Sequence, residues 1–351
     1  MTETRSPIRV DLMTYPLPLR RAQELARAAQ SAGFDGIAMT EVARTPYLSL
    51  AAMALSASLD YSTAVAVAFA SSPMVTAQQA WELAETTVGR FRLGLGTQVR
   101  SHIERRYSAT FEHPGPRMRD YVRSLRAIFN AFQGAAALDY EGDYFKFSLL
   151  PKEWSPGPID VDPPPIDVAG VNPWMIRMAG EVADGLHVHP LNTTDYLDAI
   201  VRVELEAGAK LSKRDPDDLT VIVPCFAIAG ETDVERDKWR ERARQRVAFY
   251  GSTPNYTFLF DRIGFEGTTT ALQKCFRAGD QAGARRVISD DILAHFTVEG
   301  TWSTIAGAIV ERYARRAQRV ILYDVLGDWP NDPSDLAKWG AVAADIRRLT
   351  M

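Results

Sequence analysis

The segment that decides the fold is "STAVAVAFASSPMVTAQQAWELAETTVGRFRLGLGTQ", residues 62–98. It begins with an apolar run at 62–70, continues with a segment of helical period, and ends in a second apolar run at 91–98. Apolar runs on either side of a helix are typical of parallel strands that are buried on both faces. The segment therefore predicts a strand–helix–strand unit of an α/β protein.

The same alternation continues outward from this segment in both directions. Further strands are predicted at 8–14, 36–41, 166–171, 185–190, 219–229 and 319–325. The resulting eight strand–helix units predict a (β/α)8 TIM barrel, with an open doubly wound sheet as the alternative. We expect a single domain over residues 1–351, with insertion segments at about 135–165 and 250–300. Insertions of this length usually form lids or walls over a site.

Composition excludes several classes of partner. The chain has 351 residues, 46% of them hydrophobic and 24% charged, with a formal net charge of -4. Mild acidity without a long basic run argues against binding to nucleic acid or to an anionic membrane. No apolar run approaches the ~20 residues that span a bilayer, and no signal-peptide core is visible. The two cysteines, Cys225 and Cys275, have neither disulfide nor metal-site spacing. We expect a cytoplasmic protein that binds a small molecule.

The glycine-rich end of the opening segment is not a nucleotide-binding motif. Residues 94–99, "GLGTQV", have Val99 where the third glycine of a dinucleotide fingerprint would stand, and no helix starts at once. No Gly-Lys-Ser/Thr follows for a phosphate loop. Glycines at a strand end let a backbone or a flat ring approach closely, and strand ends face the active-site mouth of a barrel. Thr97, Gln98 and His102 are therefore candidate site residues.

Several segments resemble the bacterial luciferase-like superfamily, in particular its deazaflavin (coenzyme F420)-dependent oxidoreductases. They are "AGFDGIAMTE" (32–41), residues 62–98, "IDVAGVNPWMIRMAGEVADGLHVHP" (166–190) and "VEGTWSTIAGAIVERYA" (298–314). The resemblance implies a barrel with insertions, a homodimer, and hydride transfer between C5 of F420 and a small organic substrate. It also implies a non-prolyl cis peptide bond at Ala64–Val65, with Ala64, Val65 and Ala66 behind the cofactor ring. An ordinary core strand is the alternative interpretation of these residues.

The resemblance also places the cofactor phosphate on backbone amides after the fifth strand. The matching positions are Ala169, Gly170, Val171 and Asn172. A helix begins there, and the amino end of a helix attracts anions. Asn172 as a simple N-cap is the other interpretation, and the two are compatible.

At the end of the second strand, Glu41 matches the acid that contacts the deazaflavin in the family. Val42 stands where many relatives have a histidine that assists the chemistry, and Val99 where the sugar-phosphate dehydrogenases have a catalytic glutamate. Oxidation of glucose 6-phosphate is therefore not expected.

Reduction by hydride also needs a proton, and histidine suits that task near neutral pH. His102 follows the fourth strand, and His187 and His189 end the sixth, two apart and so on the same face. We expect Glu41, His102 and His187 to be catalytic. The residues expected to contact the cofactor from these strand ends are Glu41, Thr97, Gln98, His102 and His189. A hydrogen-bonded structural histidine is the alternative in each case.

Other functions remain open on the same residues. One alternative keeps the fold but uses FMN and oxygen, as luciferase-like monooxygenases do. A metal-dependent TIM-barrel hydrolase would use His187 and His189 as ligands, although we expect no metal. A deazaflavin-binding protein without catalysis is a further alternative. Aromatic residues of the insertions are expected to line the substrate pocket or to anchor the insertions: Trp154, Tyr250, Tyr256 and Phe258.

Overall fold

A computed structural model describes residues 7–351 as a closed barrel of parallel strands surrounded by helices. The strands are β1 (Arg9–Thr14), β2 (Gly36–Met39), β3 (Asp60–Thr63), β4 (Ala66–Val67), β5 (Phe91–Gly96), β6 (Tyr140–Glu141), β7 (Lys146–Phe147), β8 (Ile166–Ala169), β9 (Gly185–His187), β10 (Thr220–Ala229), β11 (Thr297–Gly300) and β12 (Arg319–Leu322). Hydrogen bonding runs in the order β1, β2, β3, β5, β8, β9, β10 and β12, and β12 returns to β1. The predicted (β/α)8 TIM barrel is confirmed, and the open sheet is excluded.

Helices cover the outside of the barrel. They are α1 (Leu19–Ala32), α2 (Pro46–Ala54), α3 (Pro73–Thr86), α4 (Arg100–Arg105), α5 (Pro114–Phe132), α6 (Pro173–Val182), α7 (Thr194–Tyr196), α8 (Arg202–Leu211), α9 (Asp233–Gly251), α10 (Thr257–Asp261), α11 (Thr268–Arg277), α12 (Gln281–Val287), α13 (Asp290–Phe296), α14 (Ile305–Tyr313) and α15 (Ser334–Thr350). Local chemistry sets several of their ends. Gly33, at φ 102°, ends α1 in the left-handed conformation that glycine tolerates. Thr232 caps α9 by accepting a hydrogen bond from the Glu235 amide at 3.3 Å.

The two predicted insertion regions have different structures. Residues 135–165 contain the antiparallel pair β6 and β7, whose loop is fixed by the buried Asp120 carboxylate of α5. That carboxylate accepts hydrogen bonds from the Tyr144 and Phe145 amides at 2.6 and 3.0 Å. Residues 250–300 contain α10 to α13 and β11, which pairs with the carboxyl-terminal part of β10 outside the closed ring of strands.

The inside of the barrel has an ionic layer at the amino ends of the strands. Arg319 donates hydrogen bonds to both oxygens of Asp11 at 2.6 and 2.9 Å, and to Asp60 at 2.9 Å. Arg92 contacts both oxygens of the fully buried Asp167 in the same way, at 2.6 and 2.9 Å. Paired in this way, the buried charges keep hydrogen-bond partners without water.

A small apolar cluster, which we call the barrel plug, fills the barrel further along. It consists of Met13, Ala38, Ile222 and Ile321. Tyr15, Ala64 and Tyr323 pack on the plug, and each directly follows the last residue of a strand, β1, β3 or β12. The plug therefore forms the floor of the mouth at the carboxyl ends of the strands, where TIM-barrel enzymes have their active sites. Within residues 7–351, no helix is both long and apolar enough to cross a membrane.

Candidate active site

A bulge interrupts the barrel wall between β3 and β4. Ser62 lies opposite Arg92 and Ala66 lies opposite Leu95, so four residue steps on one strand face three on the other. The extra residue is the signature of a β-bulge, a feature common beside active sites. Within the bulge the Ala64–Val65 peptide bond is cis, at the position that the family resemblance implies.

The bulge depends on a glycine of the neighbouring strand. A Cβ atom at Gly96 would lie 2.7 Å from Cγ2 of Val65, closer than carbon atoms approach one another. On its other side the same Cβ would lie 3.8 Å from that of Ala169. Val65 therefore packs directly against the Gly96 backbone, and Gly96 lies between the bulge and Ala169 at the end of β8.

Glu41 lies directly beside the bulge. Its amide donates a hydrogen bond to the Val65 carbonyl at 3.3 Å, and its carboxylate accepts one from the Val67 amide at 2.8 Å. The other carboxylate oxygen accepts a hydrogen bond from the Tyr107 hydroxyl at 3.2 Å. Burial and the Glu41 charge raise the pKa of Tyr107, so the phenol remains a donor. The structure thus brings together Glu41 and the predicted residues 64–66, and adds Tyr107, which the sequence analysis missed.

The predicted phosphate-binding residues lie between the end of β8 and the start of α6. Asn172 caps α6, with its side-chain oxygen accepting a hydrogen bond from the Met175 amide at 2.9 Å. The Tyr196 hydroxyl donates to the Val171 carbonyl at 2.7 Å and so fixes the loop before the helix. The N-cap interpretation of Asn172 is confirmed. Binding of a phosphate by residues 169–172 stays a prediction.

The residues after β5 lie on the loop that the sequence predicts. The Thr97 hydroxyl donates to the Gln98 carbonyl at 3.1 Å, and the Gln98 side chain accepts from the Val99 amide at 3.0 Å. The short helix α4 follows, and His102 is exposed on it. Cofactor contacts of Thr97, Gln98 and His102 stay predictions.

His187 lies deep in the barrel. Its side chain faces Asp167, with 3.9 Å between Nε2 and a carboxylate oxygen, and Nε2 has no hydrogen-bond partner. The residue is only 4% exposed. Burial lowers the pKa of His187 to about 4, and the attraction of Asp167 only partly opposes this. The imidazole is therefore neutral at pH 7, and its catalytic role stays a prediction.

His189 lies at the rim and packs among tyrosines. Its ring centroid is 4.0 Å from that of Tyr256 and 4.9 Å from that of Tyr250, and Nδ1 accepts a hydrogen bond from the Leu191 amide at 3.1 Å. Burial lowers the pKa of His189 to about 3, so this side chain is also neutral at pH 7. Among residues 7–351, no group of three or more histidine, cysteine or acidic residues is arranged to hold a metal ion.

Aromatic residues form one side of the mouth, which we call the tyrosine wall: Tyr15, His189, Tyr250, Tyr256 and Tyr323. The hydroxyls of Tyr250 and Tyr323 are hydrogen-bonded to each other. Arg246 lies beside them, with its guanidinium 5.7 Å from the ring centroid of Tyr15 and its Nε donating to Asp324 at 2.9 Å. The sequence analysis missed Tyr15, which directly follows the predicted strand 8–14, and Tyr323, which lies within the predicted strand 319–325. Each stands two residues after a plug residue, Met13 or Ile321, and so on the same face.

Of the aromatic residues expected from the insertions, Tyr250 and Tyr256 belong to this wall. Trp154 is 73% exposed, and Phe258 instead packs on Tyr196, with ring centroids 6.0 Å apart. Two of the four expected residues therefore lie in the wall of the mouth, one is exposed, and one anchors its insertion by packing.

The barrel, its plugged interior and the bulged third strand define a TIM-barrel enzyme with its site at the carboxyl ends of the strands. Residues 3–319 match the family of luciferase-like monooxygenases, and the chain belongs to this family. Its relatives in that family identify the chain as an oxidoreductase.

Two relatives align with most of the chain. An uncharacterized protein of Mycobacterium tuberculosis is 36% identical over 309 residues, which cover 88% of this chain and 91% of that protein. The 5,10-methylenetetrahydromethanopterin reductase of Archaeoglobus fulgidus is 28% identical over 313 residues, covering 86% of this chain and 88% of the reductase.

Solved structures share the fold at low sequence identity. The coenzyme F420-dependent tetrahydromethanopterin reductase of Methanopyrus kandleri superposes with a TM-score of 0.76 at 18% identity, covering 95% of this chain and 98% of that one. The oxygenating constituent of 3,6-diketocamphane monooxygenase from Pseudomonas putida, in complex with FMN, gives a TM-score of 0.63 at 16% identity, with 97% of each chain covered. Both kinds of cofactor therefore occur on this fold.

Proposed function

We propose that this chain is an F420-dependent oxidoreductase that transfers a hydride between C5 of the 8-hydroxy-5-deazaflavin and a small organic substrate. The observation that supports this most is the bulge at residues 64–66 with Glu41 beside it, in a chain 28% identical to a methylenetetrahydromethanopterin reductase. The structurally similar reductase of this type is described as F420 dependent. The predicted homodimer is part of the same proposal.

Two features of the mouth support binding of a flat ring with a phosphate-bearing tail. The plug offers an apolar floor, and Ala64 packs directly on it. A Cβ atom at Gly96 would clash with Val65, so the glycine lets the Val65 side chain pack against β5 instead of pointing into the mouth. We expect the ring to lie against residues 64–66 and the phosphate to lie at the amino end of α6, where the helix dipole favours an anion.

When bound, F420 supplies a carbon centre that donates or accepts a hydride. The chain's own residues hold and orient it. Glu41 is fixed by the Val67 amide and the Tyr107 hydroxyl, so its carboxylate is held in place before any ligand arrives. A site already arranged in this way loses less entropy on binding. The apolar plug closes the mouth from below and offers the ring a surface without polar groups.

Titration of the purified chain with F420 and with FMN, followed by absorbance and fluorescence, tests the proposal. We expect saturable binding of F420 and none of FMN. Gly96→Ala should weaken F420 binding at least about tenfold, or ~1.4 kcal/mol, because the added methyl group moves Val65 into the mouth. The matched control is Gly307→Ala, since a Cβ there meets no atom within 4 Å.

Tight FMN binding without F420 binding would refute the proposal and favour the FMN-dependent monooxygenase instead. Bound zinc in the purified protein, with neither cofactor binding, would favour the hydrolase. F420 binding without turnover of any acceptor would indicate a binding protein.

A further inference from the structure

The Tyr250–Tyr323 hydroxyl pair lies in the same mouth as the bulge. Tyr323 and Ala64 pack on the same four-residue plug, from the β12 side and the β3 side respectively. In the ring of strands only β1 and β2 separate β12 from β3. A ligand that rests on the plug against Ala64 is therefore bordered by Tyr323 on the side away from the bulge.

The pair also has a connection to solvent. Tyr323 hydrogen-bonds to Tyr250, and both residues are half-buried. Beside them, the ion pair of Arg246 and Asp324 has side chains 33% and 24% exposed, so it reaches water at its outer edge. Tyr323 is thus hydrogen-bonded to a second hydroxyl, and the ion pair beside the two tyrosines reaches water.

The charged groups beside this part of the mouth are already matched. Glu41 accepts hydrogen bonds from Val67 and Tyr107, and Arg246 is paired with Asp324. His189 is neutral at pH 7 because burial lowers its pKa to about 3. An anionic substrate group beside Tyr323 would find no free cation, because Arg246 is paired with Asp324, whereas an uncharged acceptor needs only a hydroxyl donor.

We propose that Tyr323, backed by Tyr250, donates the proton to the carbonyl oxygen of an uncharged aldehyde or ketone substrate. This inference rests on the proposed function, which supplies the hydride as reduced deazaflavin. It assigns a substrate class and a proton donor to the site.

Hydride and proton add to opposite ends of the C=O bond. The hydride forms a C–H bond at the carbonyl carbon while the π electrons of the C=O bond move to oxygen. The oxygen takes the proton of Tyr323, Tyr323 takes that of Tyr250, and Tyr250 takes one from solvent. The products are an alcohol and the oxidised deazaflavin. Burial raises the pKa of both phenols, so they carry their protons at neutral pH, and an alkoxide is basic enough to take one.

The variants Tyr323→Phe and Tyr250→Phe test the inference, with Tyr144→Phe as the matched control because Tyr144 lies in the β6–β7 loop. The first readout uses the cofactor-free protein and cyclohexanone labelled with ¹³C at the carbonyl. A hydroxyl donor should shift the C=O stretch of the bound ketone to lower frequency, and Tyr323→Phe should abolish that shift. The second readout is ketone reduction with reduced F420, with its solvent isotope effect.

We expect Tyr323→Phe to lower kcat about a hundredfold or more, with KM changed less than about threefold, as for loss of a general acid. Tyr250→Phe should lower kcat less and reduce the solvent isotope effect. An unshifted C=O band in the wild type, or Tyr323→Phe with wild-type kcat, would overturn the inference. The inference would also be overturned if His102→Gln or His187→Gln abolished ketone reduction while Tyr323→Phe retained it. If F420 still binds to the wild type when one of these results is found, only the role of Tyr323 is refuted and the proposed function stands. If the wild type does not bind F420, the proposed function and the role of Tyr323 both fail.

Discussion

The buried His187 should make the stability of the protein fall on acidification. Burial lowers the pKa of His187 to about 4, against ~6.5 in an unfolded chain. Between these values the unfolded chain binds a proton that the folded chain does not, so the free energy of unfolding decreases as the pH falls. Integration over that interval gives a loss of about 2.5 kcal/mol between pH 8 and pH 4.5 from this residue alone.

The measurement is urea unfolding of the wild type and of His187→Gln at several pH values from 8 to 4.5. We expect the stability of the wild type relative to the variant to fall by about 2.5 kcal/mol over the range. His295→Gln is the matched control, because that histidine is exposed and meets solvent in the folded and unfolded chain alike. A difference between wild type and His187→Gln that stays constant with pH would refute the reasoning. A wild type that gains relative stability in acid would mean that Asp167, 3.9 Å away, outweighs desolvation.

Other substitutions test other parts of the structure. Arg319→Met leaves the buried Asp11 carboxylate unpaired, and should lower the free energy of unfolding by about 3–5 kcal/mol in urea denaturation. A decrease in the free energy of unfolding of less than ~1 kcal/mol would contradict a buried Arg319–Asp11 ion pair. Asn172→Ala removes the cap of α6, and should lower the free energy of unfolding by about 1 kcal/mol and weaken F420 binding. Asn172→Ser keeps a capping oxygen and should retain most of the stability and of the F420 affinity. Tyr107→Phe should weaken F420 binding by about three- to tenfold, or ~1 kcal/mol, because Glu41 loses one of its donors; unchanged binding would exclude that role.

Features that depend on neighbours in sequence were predictable from it. The strand order follows from alternating apolar runs, since parallel strands joined by helices can close only in a few ways. Gly33 and Thr232 act at helix ends through contacts within a few residues, so residue type and position are sufficient signals for such ends. Asn172 belongs to the same group.

Features that depend on distant partners were not predictable. Tyr107 reaches Glu41 across 66 residues, and Tyr250 meets Tyr323 across 73, with no local signal for either contact. The spacing of His187 and His189 gave the face on which both lie but not their depth. His187 is 4% exposed and lies beside an aspartate, whereas His189 packs among tyrosines at the rim. Depth depends on the stagger of the strands around the closed barrel, which a single chain segment does not encode.

A crystal structure of the chain with F420 bound tests the central claim most directly. The account predicts the ring in van der Waals contact, within about 4 Å, with residues 64–66, its face above the barrel plug, and the phosphate at the amino end of α6. A ring bound elsewhere, for example in the cleft beside Pro163–Pro165 at the amino ends of the strands, would contradict it.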